Sequence, residues 1–188
     1  MKPVFWGFFF LFLNFNLIVN GHVLNVLPPF VGCWLLYRGF GEMAAESDKF
    51  DSLRPFALGL GIYTALIWVG DLLGMGSESW ISSLLGLAAT IAELYIAWGL
   101  IQCLREVEAR RQADLNTPAV HKAWTVLLVT QIAGFVIRML LWIRAWSLAT
   151  LLSIVCIVAG LVGIVLFLVA VWRTGKCYEA LPPLQTEL

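Results

Sequence analysis

The sequence predicts an all-α integral membrane protein, a bundle of six transmembrane helices with both termini on the cytoplasmic side. Of its 188 residues, 61% are hydrophobic and 13% are charged, and the mean hydropathy is +0.88. Soluble domains contain a larger fraction of charged residues and a smaller fraction of hydrophobic residues. Several apolar runs reach the roughly 20 residues that a helix needs to cross about 30 Å of hydrocarbon. We expect a single transmembrane domain over residues 1–178 and a short disordered tail over 179–188.

The first two apolar segments, residues 4–19 and 23–40, predict a hairpin interrupted by prolines. The first segment resembles a signal peptide but has no small-residue cleavage site, so we interpret it as a retained helix. The pair Pro28-Pro29 fits the first turn of a helix but not its interior. The second helix is therefore expected to begin near Pro28. Residues 20–27 would form an irregular connection, which is tolerated at membrane depth only where protein or water satisfies its backbone.

The other four segments are longer, and helix-start signals mark three of them. Pro55 opens the third segment, Thr117 can cap the fifth ahead of Pro118, and Ser147 can cap the sixth. The fourth continues past Cys103 into a charged stretch that has to be solvated. The predicted spans are residues 55–75, 80–103, 118–144 and 147–173.

Basic residues and tryptophans select the same orientation. With a cytoplasmic N-terminus, the outer loops carry only Arg144, as the bias of basic residues toward the cytoplasm requires. Tryptophans lie toward the ends of the segments, as interfacial belts require. The mixed-charge stretch 42–54 is expected to be an ordinary solvated connection. The ten basic residues on the cytoplasmic side are Lys2, Arg38, Lys49, Arg54, Arg105, Arg110, Arg111, Lys122, Arg173 and Lys176.

Four polar residues lie inside apolar segments: Asp71, Glu93, Gln131 and Arg138. An ionisable side chain in hydrocarbon costs roughly 2.5–3.5 kcal/mol on insertion scales, so each should face the bundle interior and find a partner. Helical rise places Asp71 and Arg138 near the outer boundary, with Glu93 and Gln131 about 18–20 Å below it. These depths predict an Asp71–Arg138 ion pair and a deeper Glu93–Gln131 hydrogen bond. Alternatively, Asp71 is hydrated at the interface and Arg138 extends outward along its stem.

Glu93 has the least access to water of these four residues, and we consider it a candidate for proton or cation coupling or for substrate contact. The alternative is that it only joins helices. A second polar group lies before the prolines. Asn16 and Asn20 are four residues apart and can share a helix face, with His22 close by. Together they would form a polar vestibule or ligand contact, or else satisfy the open backbone around Pro28.

The sequence contains no motif for a catalytic site, a cofactor or a metal. His22 and His121 are predicted on opposite sides of the membrane, so they cannot share a zinc ion. The four cysteines have no ligand spacing. Neither GxSxG nor HExxH occurs. The zero net charge gives no reason to expect a nucleic-acid partner.

The first part of the chain resembles a known family. The residues that carry the resemblance are Asn14-Phe15-Asn16, the stretch 25–32, Arg38-Gly39-Phe40 and the stretches 46–50 and 54–57. They resemble a family of small multi-span membrane proteins from Gram-positive, mostly anaerobic, bacteria. The resemblance implies a location in the bacterial inner membrane, and it implies no particular activity.

Two classes of function remain open. A small-solute transporter, or a membrane solute-binding subunit, would use a polar cavity around Glu93 and Gln131. A non-catalytic scaffold, assembly factor or regulator of another membrane complex would fit the absence of motifs and the small-residue pairs that favour close helix packing. Besides the lipid bilayer, the expected partners are another membrane protein or a second copy of the chain. A cavity beside Glu93 would favour the first class.

Overall fold

The computed structural model describes residues 1–13, 16–19, 22–25, 27–72, 80–142 and 146–182. Over this part, the chain forms six helices and one antiparallel two-stranded hairpin. These elements are α1 (Lys2–Phe12), β1 (Asn16–Val19), β2 (His22–Asn25), α2 (Pro29–Met43), α3 (Asp48–Leu72), α4 (Trp80–Arg111), α5 (Thr117–Trp142) and α6 (Trp146–Glu179). Four of the helices, α3 to α6, are long and apolar enough to cross a membrane. A helical fold with four helices long and apolar enough to cross a membrane is therefore confirmed, whereas six complete spans and the side of the termini stay predictions.

The first helix is shorter than predicted. α1 contains 11 residues and measures about 16 Å, which is half of a typical hydrocarbon core. The segment expected to complete it forms β1 instead. Asn16 pairs with Asn25, and Val19 pairs with His22 on β2. The expected irregular connection at residues 20–27 therefore contains a strand, because an apolar run of a few residues does not distinguish strand from helix.

Helix starts were predicted with mixed success. α2 begins at Pro29 with Pro28 as its N-cap, as expected from the fixed φ angle of proline. α3 begins at Asp48 and contains Pro55 in its interior, so the predicted start at Pro55 was wrong. α5 begins at Thr117, but the Thr117 hydroxyl has no partner among the described residues. The carboxylate of Glu108 caps this helix instead, accepting the backbone N–H groups of Leu115 at 2.9 Å and Thr117 at 3.1 Å.

The six helices form a closed ring in chain order. Each helix packs against its neighbours in sequence, and α6 returns to pack against α1. The seam between α1 and α6 is aromatic, with the ring centroid of Phe167 5.2 Å from that of Phe8 and 5.5 Å from that of Phe12. Glycines bring α1 and α2 close together, since a Cβ on Gly32 would lie 2.6 Å from the carbonyl oxygen of Gly7. Strand β2 lies against α3.

Among the described side chains, the main core lies in one half of this ring. We call the two ends of the ring the charged end, where Lys2, Lys49 and Arg111 lie, and the open end opposite. Toward the open end, α3 to α6 carry large exposed apolar side chains such as Leu66, Leu151 and Val155. Exposed apolar surface on this scale is typical of contact with lipid. The largest fully buried side chains all lie in the charged half; they include Phe8, Leu36, Phe40, Phe50, Leu100, Leu104 and Phe167.

Candidate functional site

Glu93 lies on the face of α4 that points into the ring. It is seven residues before Leu100 and eleven before Leu104, so the three positions share one side of the helix. Leu100 and Leu104 are completely buried, whereas Glu93 is half-buried. Glu93 is therefore placed at the level where the packed core ends. This level is near the middle of the apolar part of α4.

Beyond Glu93, two described glycines on α4 and α6 have no packed neighbour. Gly86 lies seven residues, or about 10 Å, closer to the open end of α4. A Cβ atom added at Gly86 would meet no atom of another described element within 4 Å. The same is true of Gly160 on α6, which lies two turns beyond the buried Phe167 on the same face. We call the space bounded by Glu93, Gly86 and Gly160 the outer opening.

The surroundings of Glu93 are sparsely polar. The thiol of Cys33 on α2 lies within electrostatic range of the Glu93 carboxylate, and the Thr64 hydroxyl of α3 lies beside that thiol. Thr64 donates to the backbone carbonyls of its own helix, at 2.9 Å and 3.2 Å. Within the described ranges, the carboxylate of Glu93 has neither a hydrogen bond nor an ion pair. The side chain is therefore available to a ligand or a proton.

Gln131 of α5 is exposed and does not reach Glu93. It lies four residues after the buried Leu127, yet its side chain is exposed. The side chain of α5 that does reach α4 is Trp124, whose indole N–H donates to the Leu94 carbonyl at 3.0 Å. Gln131 is seven residues, or about 10 Å, further toward the open end. The predicted Glu93–Gln131 hydrogen bond is therefore absent, because the two helices pack in a different register from the one that equal depths implied.

The other predicted site residues are only partly described. Asp71 lies seven residues after Thr64 on α3, and Arg138 lies seven residues after Gln131 on α5. The side chains of Asp71 and Arg138 lie outside the described part, so their ion pair stays a prediction. Asn16 lies on β1, so the helical spacing that grouped it with Asn20 does not apply. His22 lies on β2. Asn20 falls outside the described residues.

The charged end is closed by a polar network centred on Glu46, in the connection between α2 and α3. The Arg111 guanidinium donates two hydrogen bonds to the Glu46 carboxylate, and Tyr178 of α6 donates a third at 3.2 Å. Arg110 donates to the backbone carbonyl of Glu46 at 2.7 Å. Arg111 also donates to the carbonyl of Pro182 at 2.9 Å, which ties the start of the predicted tail to the bundle. We call the network of Glu46, Ser47, Lys49, Glu106, Arg110, Arg111 and Tyr178 the charged cap.

A second contact within the charged cap joins α3 to α4. The Ser47 hydroxyl donates to Glu106 at 2.9 Å, and the Lys49 ammonium lies 3.2 Å from the same carboxylate. Glu106 lies past the apolar part of α4, in the charged stretch that ends the helix. The hydrogen bond from Ser47, followed by the contact with Lys49, lowers the pKa of Glu106. The expectation that residues 42–54 form an ordinary solvated connection was wrong, because Glu46 and Ser47 are buried.

Comparison with known proteins finds no relative of this chain. The chain matches no protein-family model, and no curated protein or solved structure is significantly similar to it. The resemblance to small membrane proteins of Gram-positive bacteria thus stays a prediction. Over the described residues, no group of three or more His, Cys, Asp or Glu side chains is arranged to hold a metal ion. The fold and the site define a class: a helical protein with four helices long and apolar enough to cross a membrane and one packed, charged end.

Proposed function

We propose that this chain is a small-solute transporter, or the solute-binding subunit of one, and that its solute binds in the outer opening at Glu93. One observation carries the proposal. Among the described residues, the side chains on the charged side of Glu93 are packed, whereas Gly86 and Gly160 beyond it have no packed neighbour, and we place the Glu93 carboxylate at the floor of this space. Transporters typically hold their solutes near the middle of the membrane, at a site closed from one side at a time.

The chemistry of Glu93 favours a cationic solute or a coupled proton. A carboxylate in the membrane interior is costly unless it is paired or protonated. No described side chain satisfies Glu93, and in this proposal a bound cation or a proton supplies the compensation. A carboxylate that only joined helices would be expected to accept a hydrogen bond from a neighbouring helix. This supports the transporter over the scaffold.

In this proposal, the charged cap is the closed gate on the cytoplasmic side. The cytoplasmic assignment comes from the ten basic residues that the sequence collects at that end. The ion pair between Glu46 and Arg111 links the α2–α3 connection to the end of α4. Alternating access would require this link to separate while the outer opening closes.

Uptake into proteoliposomes tests the proposal. We would measure accumulation of radiolabelled sodium, methylammonium, choline and tetraphenylphosphonium under an imposed pH gradient and membrane potential, against protein-free vesicles. We expect at least one cation to accumulate. Glu93→Gln should reduce that uptake by about tenfold or more, the equivalent of ~1.4 kcal/mol for a lost charge contact.

The matched control is Glu42→Gln, which removes a carboxylate from the exposed surface, where Glu42 pairs with Arg38 at 3.1 Å. This variant should transport like the unmodified protein. The proposal fails if none of the four cations accumulates, or if Glu93→Gln transports as well as Glu42→Gln does.

A further inference from the structure

A groove with a volume of about 260 Å³ lies between the start of α1 and the end of α6. It is separate from the outer opening, since it lies at the charged end and on the outside of the ring. Its walls are mainly apolar, and charged side chains lie along its rim. The residues that define it are Lys2, Phe5, Val171, Trp172, Lys176 and Glu179.

The rim of this groove carries an excess of positive charge. The Lys2 ammonium lies 3.9 Å from the Glu179 carboxylate, at the limit of an ion pair. The Lys176 ammonium lies 5.5 Å from the centre of the Trp172 ring and has no carboxylate partner in the described part of the chain. Arg173, on the adjacent turn, is exposed as well. The two lysines that line the groove therefore face a single lining carboxylate, Glu179, and an anionic group complements the rim.

The aromatic residues place the groove at the membrane surface. Trp172 packs edge-on against Phe5, with ring centroids 4.9 Å apart, and remains substantially exposed. Trp6 is exposed at the same level of α1. Exposed tryptophans near lysines are typical of the boundary between headgroups and hydrocarbon. Below Trp172, an exposed apolar stripe continues along α6 at three- and four-residue spacing, through Val169 and Val165.

We propose that this groove binds an anionic phospholipid from the leaflet at the charged end. The lipid phosphate lies between Lys2 and Lys176, and an acyl chain runs past Trp172 along Val169. A free phosphate ion would leave the apolar walls of the groove uncovered. A zwitterionic lipid would leave the excess rim charge uncompensated. A phospholipid with a net negative headgroup satisfies both features.

Native mass spectrometry of the detergent-purified full chain tests this site. Phosphatidylglycerol and phosphatidylcholine with identical acyl chains are added in equal amounts, and retention of each is measured. We expect phosphatidylglycerol to be retained preferentially by about fivefold or more, as expected for a basic residue at an anionic surface. The double substitution Lys2→Gln/Lys176→Gln should abolish the preference, whereas Lys176→Arg should keep it.

The control removes the same charge elsewhere at the same end of the protein. Lys122 and Arg105 are exposed and lie outside the groove, so Lys122→Gln/Arg105→Gln should retain the preference. Equal retention of the two lipids, or an equal loss in the two double variants, would overturn the proposal. So would displacement of the lipid by glycerol phosphate at equal concentration, because that would assign the binding to the phosphate alone.

Discussion

Arg111 and Glu46 form a two-bond ion pair across the charged end of the ring, although 65 residues separate them in the sequence. The guanidinium Nε lies 3.0 Å from one carboxylate oxygen, and Nη2 lies 2.5 Å from the other. The two side chains are only 14% and 7% exposed. The parallel geometry of a guanidinium on a carboxylate makes such pairs both strong and specific in orientation. This contact fixes the end of α4 to the α2–α3 connection.

Replacing Arg111 by methionine should destabilise the protein by roughly 3 kcal/mol, because it leaves the buried Glu46 carboxylate without its cation. The measurement is unfolding in mixed micelles by titration with sodium dodecyl sulfate. The control is Arg38→Gln, which breaks an ion pair whose side chains are 62% and 47% exposed. That exposed pair should contribute less than about 1 kcal/mol. Equal effects of the two substitutions would show that the charged cap does not hold the bundle together.

The charged cap should also weaken in acid. The pKa of Glu106 is lowered by Ser47 and Lys49 from its ordinary value of 4.5. A carboxylate with a lowered pKa contributes stability above that ordinary value, and the contribution is lost as the pH falls through the folded-state pKa. In Lys49→Gln, the pKa of Glu106 should move back up toward 4.5, so that less stability is lost in acid and the loss is complete at a higher pH. Melting temperatures between pH 3 and 7 measure this shift, and curves of identical shape for both proteins would contradict it.

The sequence predicted the parts of this fold that depend on local properties. The length of the apolar segments predicted the four long helices. The fixed φ angle of proline predicted the start of α2 at Pro28-Pro29. The strands β1 and β2 were missed because each has four residues, too few to show a period. The early start of α3 was missed because Pro55 was interpreted as a first-turn residue, whereas it lies inside the helix.

The site was only partly predictable, for a different reason. Glu93 could be singled out because membrane burial makes any carboxylate costly. Its relation to Gln131 depended on the register of α4 against α5, which the contact between Trp124 and Leu94 determines. The ion pair of Glu46 with Arg111 depends on tertiary packing as well. The sequence indicated this ion pair only indirectly: it placed the acidic residues of 42–51 and the arginines of 105–111 on the same predicted side of the membrane.

The close contact between α1 and α2 should be sensitive to a single methyl group. Gly32→Ala would place a Cβ 2.6 Å from the carbonyl oxygen of Gly7, so the helices have to separate. Overpacking of this kind typically costs about 1–3 kcal/mol. Gly59→Ala on α3 is the matched control, because a Cβ there meets no atom within 4 Å. Detergent unfolding should distinguish the two, and a Gly32→Ala protein as stable as Gly59→Ala would contradict the packing of α1 on α2.

Water in the outer opening should make Gly86 reactive when it is replaced by cysteine. A maleimide reacts with the thiolate, so it requires a hydrated thiol. In a background without the four native cysteines, Gly86→Cys should react with a membrane-impermeant maleimide in intact membranes. Ile91→Cys is the stringent control, because Ile91 is 59% exposed but lies on the opposite face of α4, toward lipid. It should not react, and neither should Ala97→Cys at a fully buried position.

The side of reaction then tests the orientation of the protein. Cys177 is exposed at the charged end of α6, so a variant that keeps only this native cysteine should react from the cytoplasmic side. Gly86→Cys should react from the opposite side. If both thiols react from one side, the opening and the charged cap do not face different compartments. If Gly86→Cys and Ile91→Cys are equally unreactive, the space beyond Glu93 contains lipid or side chains rather than water, and a solute site there is excluded.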